Sequence, residues 1–158
     1  MRRWVEALTV ARSSRTVESA LPEPHTMVAE INREMERTRR YERPMALIAL
    51  HAVGVPGFQR GQVIAVAGLA LRRHLRDSDV ASFDTKSGCF VLVLPECGSM
   101  QAQTASTRIA RLLSVEHSLE VQSGIAVFPD NALVLEDLVD AAIRRCAGPQ
   151  PVPLRGET

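Results

Sequence analysis

Arg76 and Asp79 stand three positions apart in the stretch Leu75-Arg-Asp-Ser-Asp-Val80 and set a planar donor fork beside a carboxylate acceptor. Such a pair is either a solvated surface ion pair, worth little, or one rim of a site that recognises a planar polar group. A few residues on, a tight turn between two strands could carry carboxylates for metal or acid–base chemistry. It reads Lys86-Ser-Gly-Cys-Phe90 instead. Cys89 is read as a packing residue of that hairpin, because no histidine stands near it in sequence to activate its thiol. His51, at the end of an apolar run, is read as a satisfied histidine at a strand edge. These types and spacings supply no catalytic residue and no metal-ligating set.

The elements that must position these residues follow from periodicity and punctuation. Met27, Val28, Ile31 and Met35 recur at helical spacing up to Tyr41, with Thr26 as the expected cap and Pro44 forcing a stop. Met45 to Val53 reads as a buried strand, and Gln62 to Leu75 returns to helical spacing. Val80 to Phe83 and Phe90 to Leu94 flank the turn Asp84-Thr-Lys-Ser-Gly88 as a hairpin. Ser99 to Leu113 is a small-residue helix, Leu119 to Phe128 a strand, and Leu133 to Cys146 a last helix. Residues 1–24 form a leader with partly helical patterning, ended by Pro22 and Pro24. Residues 148–158 form a Pro-rich tail expected to be flexible. Between them, residues 25–147 make one domain, an α/β sandwich of helices packed on a mainly antiparallel sheet.

Composition narrows the function classes. The 158 residues, 46% hydrophobic and 23% charged, suffice for one domain with its own core. The longest apolar run, Val63 to Leu71, is too short for a bilayer span, and the N-terminus lacks a long apolar core before a cleavage site. The expected location is the cytoplasm, with no membrane contact. Cys89, Cys97 and Cys146 show no C-x-x-C spacing, so neither a disulfide framework nor a zinc knuckle is indicated, and all three are read as reduced packing residues. The net charge of +1 gives no field that makes nucleic acid the default partner. The run Arg33, Arg37, Arg39, Arg40 and Arg43 is interleaved by no aromatic residue but Tyr41, which argues against a single-strand platform. All the basic residues except Lys86 are arginine, a skew that reflects either base composition or planar recognition.

The order of elements and several phrases resemble the GGDEF domain family, the diguanylate cyclases. "TRRYERPMALIAL" resembles that family's first long helix running into its first core strand, and "LRRHLRDSDVASF" its second helix and strand. "FVLVLPE" resembles its third strand, "QAQTASTRIARLL" its third helix, and "SGIAVFPDN" its later strand and turn. The similarity covers roughly residues 27 to 147. It implies the nucleotidyl cyclase-like palm, an α+β sandwich with a mainly antiparallel central sheet.

The departures from the pattern bear on activity. In the family, Mg²⁺ is held by oxygen ligands at the end of the first strand and in the signature turn, to stabilise charge on two reacting GTP molecules. Here the strand ends in His51-Ala-Val53, and imidazole is a poor Mg²⁺ ligand. The signature Gly-Gly-Asp-Glu-Phe aligns with Lys86-Ser-Gly-Cys-Phe90, of which only Phe90 survives, and the nucleotide-contacting segment is shortened to "GVPGFQRGQ". The comparison implies a pseudoenzyme with no cofactor and no metal.

A second family site survives. It binds the product, cyclic di-GMP, through an Arg-x-x-Asp motif before the signature, and Arg76 and Asp79 fall at that position. An Arg fork can donate to O6 and N7 of guanine while a carboxylate accepts from N1 and N2, which selects guanine over adenine. The family's further arginine on the next helix, thirteen residues after the strand-ending proline, corresponds to Arg108 counted from Pro95. An arginine of the first helix that reaches a ligand held by another protomer corresponds to Arg37. The resemblance thus implies a cyclic di-GMP receptor that signals through a ligand-bridged homodimer or a protein effector. Its alternative is a structural protein–protein interaction domain with the same fold and no nucleotide binding, and an active cyclase conflicts with the missing carboxylates.

Overall fold

The computed structural model describes residues 21–22 and 24–147. The expected leader, apart from Leu21, Pro22 and Pro24, and the expected tail lie outside the described residues. A short 3-10 turn over Pro24–Met27 leads into α1, Val28–Tyr41, and then β1, Met45–Ala52. A second 3-10 turn, Gly57–Gln59, precedes α2, Arg60–His74. The hairpin strands are β2, Val80–Asp84, and β3, Cys89–Pro95. They are followed by α3, Ser99–His117, β4, Val121–Phe128, and α4, Leu135–Cys146.

The sheet order is β2-β3-β1-β4, and all three pairings are antiparallel. This is the sandwich expected from the pattern of elements. Alternation along the central strands splits their side chains between two layers, because successive residues of a strand point to opposite faces. Ala46, Ile48 and Leu50 of β1 and Phe90, Leu92 and Leu94 of β3 pack with Ala67 and Leu71 of α2 and with Ile109 and Leu113 of α3. Met45, Leu47, Ala49, Cys89, Val91 and Val93 face the other way, against Ile31 and Met35 of α1 and Leu138, Ala142 and Cys146 of α4. Both faces are covered, which explains why β1 and β3 read as continuous apolar runs. Burying each Leu or Ile stabilises the fold by about 1.5–3 kcal/mol, so these two layers outweigh the exposed ion pairs.

Several boundaries moved for identifiable reasons. Thr26 lies inside the 3-10 turn, and the capping position at the start of α1 falls to Met27, which makes no side-chain cap bond. Helix α3 runs on past Leu113 to His117, ending where Ser118 turns left-handed at φ 53° and its N–H reaches the Leu113 carbonyl. Beside the edge strand β2, Phe83 donates its N–H to the Pro22 carbonyl at 3.0 Å, so the incoming chain covers part of an edge that would otherwise be open. Among the described residues no helix is long and apolar enough to cross a membrane.

Candidate functional site: a cavity at the Arg76–Asp79 turn

Helix α2 ends at His74, and Leu75 swings to extended geometry, so the next four residues form a tight connection into β2. Asp79 closes that connection. Its N–H donates to the Arg76 carbonyl at 3.0 Å, and its Oδ2 accepts the Arg76 N–H at 2.9 Å. The Arg76 guanidinium approaches the same oxygen through Nε at 3.6 Å, yet that side chain is 64% exposed while the Asp79 side chain is only 4% exposed. The expected rim pair is therefore asymmetric: an inward carboxylate and an outward fork. Asp79 Oδ1 is buried with no hydrogen-bond partner among the described residues. A buried acceptor left unpaired costs about 1–3 kcal/mol, more when charged.

The turn borders a cavity of about 600 Å³ between the end of α2, the end of β3 and the first half of α3. Arg76, Asp79 and Arg108 all line it. Arg108 sits on the exposed face of α3, held by the neighbouring Ile109, which is fully buried in the core, and it makes no ion pair among the described residues. Three of the four residues expected at one site thus come together in one chain, although Arg108 lies far from Arg76 in sequence.

Arg37 does not join them. It lines a neighbouring cavity of about 370 Å³ on the α1 side of the turn, with Arg76 and Glu96 shared between the two. Arg37 is 67% exposed and lies 3.4 Å from Glu34, an i,i+3 surface pair. Other wall residues were not singled out from the sequence. Thr104 and Met100 stand one and two helical turns before Arg108, so the four-residue spacing on α3 is a usable signal. Glu96 takes a left-handed φ of 55° after Pro95 and pairs with Arg43, and nothing local in the sequence signals that geometry. Cys97 forms part of the cavity floor, where burial pushes its thiol pKa up, Arg76 pulling the other way.

At the opposite end of the sheet, His51 is the penultimate residue of β1, beyond the last β1–β3 pair, with Nδ1 3.3 Å from the Gly88 carbonyl. Asp84 spends its Oδ2 on Ser87, whose hydroxyl donates at 2.6 Å. Among the described residues no group of three or more His, Cys, Asp or Glu is placed to hold a metal ion. A single engaged carboxylate, an imidazole and thiols do not fit Mg²⁺, which takes oxygen ligands in octahedral geometry. Cys89 has no histidine near it in sequence, but the fold supplies one in space. The β1–β3 register, ending at Leu50–Phe90, brings it beside His51, and it shares a buried cluster with Cys146.

No protein-family model matches the chain, and no curated protein matches it. Solved structures do. The GGDEF domain of DgcB from Caulobacter crescentus, in complex with c-di-GMP, superposes with a TM-score of 0.68 at 16% identity, over 80% of this chain and 81% of that one. A sensory box/GGDEF family protein from Caulobacter crescentus gives 0.67 at 16% identity, over 80% and 93%. The FimX GGDEF domain from Pseudomonas aeruginosa gives 0.67 at 15% identity, over 80% and 86%. At such identities the likeness is one of architecture: the chain has the fold of GGDEF domains.

Proposed function

We propose that this protein is a catalytically inactive GGDEF-fold receptor for cyclic di-GMP, which it binds through Arg76, Asp79 and Arg108. The single observation that carries the reading is the convergence of these three side chains on one cavity, with a buried Asp79 oxygen unpartnered there. Arg76 would donate to O6 and N7 of a guanine, Asp79 would accept from N1 and N2, and Arg108 would meet phosphate or a second base face. Arg37, in the adjoining cavity, supports a bridged homodimer in which one protomer's first helix completes a site held mainly by its partner. A protein effector is the alternative output of the same occupancy. Inactivity is supported by the donor set around His51, Asp84 and Cys89, which lacks the oxygen ligands Mg²⁺ chemistry needs.

Calorimetric titration of the full chain with cyclic di-GMP tests the receptor reading. Saturable binding is expected, with GMP and cyclic di-AMP much weaker, and silence at millimolar ligand overturns it in favour of a purely structural domain. Incubation with GTP and Mg²⁺ tests inactivity. No cyclic di-GMP above a buffer control is expected, and clear turnover overturns that part alone.

A further inference from the structure

The second layer of the core holds two thiols that the cavity at the Arg76–Asp79 turn does not use. Cys89 opens β3 and Cys146 ends α4, and both side chains enter the same buried cluster, at 4% and 2% exposure. The chain separates them widely, but the packing does not. The last turn of α4 lies directly on β4 because Gly124 has no Cβ; an added one would collide with the Ala142 carbonyl and the Cys146 amide. That approach lets Cys146 Sγ reach the Gln122 carbonyl at 3.2 Å, and Gln122 is the register partner of His51 on β1. Cys89 lies on the other flank of the same strand, beyond the Leu50–Phe90 pair. The two thiols therefore lie in one buried layer on the same side of the sheet, flanking His51.

We propose that Cys89 and Cys146 form a hydroperoxide-reactive dithiol site, with Cys89 as the attacking sulfur and Cys146 as the resolving one. The inference is independent of the nucleotide-binding reading, since it uses none of Arg76, Asp79, Arg108 and Arg37 and lies at the other end of the sheet.

The environment divides the roles. The Cys146 thiol hydrogen-bonded to Cys89 holds the latter's pKa down, to about 6, against the opposing effect of burial, with Ser87 and His51 adding to the same direction. That same bond, with burial, pushes Cys146 up, so it keeps its proton. A thiolate is the nucleophile and a neutral thiol is the natural resolver. Cys89 also lies only one residue below the half-buried Gly88 of the hairpin, and His51 is half-buried beside it.

The chemistry balances. The Cys89 thiolate attacks one peroxide oxygen, the O–O bond breaks, and the departing alkoxide or hydroxide takes a proton, leaving a sulfenic acid. Cys146 sulfur then attacks the Cys89 sulfur, and the hydroxide that leaves takes the Cys146 proton as water. Two thiols lose two electrons in total, and the hydroperoxide is reduced to an alcohol, or to water if it is hydrogen peroxide. The product ties the hairpin to the end of the last helix.

The test treats the full chain with hydrogen peroxide, blocks remaining thiols under denaturing conditions, and reads intact mass and cleaved peptides. Expected is a single blocking group, on Cys97, a mass about 2 Da below that of the reduced chain once that group is subtracted, and a Cys89–Cys146 cross-linked peptide. Cys146→Ser should stop at a sulfenic acid on Cys89 that dimedone traps, and Cys89→Ser should abolish both products. The proposal is overturned if wild-type protein yields no cross-linked peptide, or if Cys97 oxidises as fast as Cys89. Because the wild-type mapping carries the decision, a variant that fails to fold does not rescue the idea.

Discussion

Asp79 binds back onto Arg76: one carboxylate oxygen accepts the Arg76 N–H at 2.9 Å, and the other is buried without a partner among the described residues. One half of the carboxylate therefore holds the turn, and the other half is left for whatever enters the cavity. This division makes the two residues of the motif respond differently to substitution.

Arg76→Ala should weaken cyclic di-GMP binding about ten- to a hundredfold, the equivalent of roughly 1–3 kcal/mol for a bidentate contact to guanine. Its thermal midpoint should barely move, since the side chain is 64% exposed and its ion pair is loose. Calorimetry beside thermal denaturation checks both halves. An unchanged affinity would remove Arg76 from the site.

Asp79→Ala removes both the turn bond, worth about 1 kcal/mol, and the buried unpaired oxygen, which costs about 1–3 kcal/mol, so the unliganded protein should be no less stable while binding weakens. The sign of the binding change is the sharper readout. If the ligand is held only by general positive charge, deleting a carboxylate beside an anion tightens binding, and that result rules out the assigned role of Asp79.

Arg108→Ala and Arg37→Ala should separate occupancy from assembly. Loss of Arg108, which is unpaired among the described residues, should reduce affinity about tenfold with stability unchanged. Loss of Arg37 should leave single-site binding largely intact but abolish the ligand-dependent rise in mass by sedimentation. Equal mass with and without ligand in the wild type would remove the bridging role.

Alkylation rates should show the thiol environments directly. For Cys89 the pKa is held to about 6, so its rate should climb as pH rises through about 6 and level off by neutral pH. Cys97, raised mainly by burial, should become reactive only above the ordinary thiol value of 9.0. The depressed pKa of Cys89 contributes stability that is present above the unfolded thiol value and is lost as pH falls through about 6. An inflection for Cys89 near 9 would contradict the geometry around it.

Gly124→Ala should destabilise the domain by about 3 kcal/mol or more, because the new methyl meets backbone rather than a flexible side chain. A thermal midpoint within a degree or two of wild type would mean that α4 can lift from β4 without cost.

Much of the architecture was legible in the chain because it is written in short-range pattern. Met45 to Leu50 and Phe90 to Leu94 are apolar at both parities, and only a strand covered on both faces needs that. Pro44 and Pro95 stop elements wherever the chain order is read. The Arg76–Asp79 spacing was equally local, since three residues across a helix-to-strand corner leave few conformations. Helix ends were less legible: Ser118 and Glu42 adopt left-handed φ without being glycine, so no residue type announces them. What no local pattern could decide was which distant side chains share a space. Arg108 could be counted to from a resemblance, but its meeting with Asp79 depends on how α3 crosses the end of β3. The inward turn of the Asp79 carboxylate depends on the same packing. Cys89 and Cys146 meet because strand register and the absence of a Cβ at Gly124 set the height of one helix end over the sheet. Periodicity tells each residue which face it is on; only close packing of the layers determines what it faces.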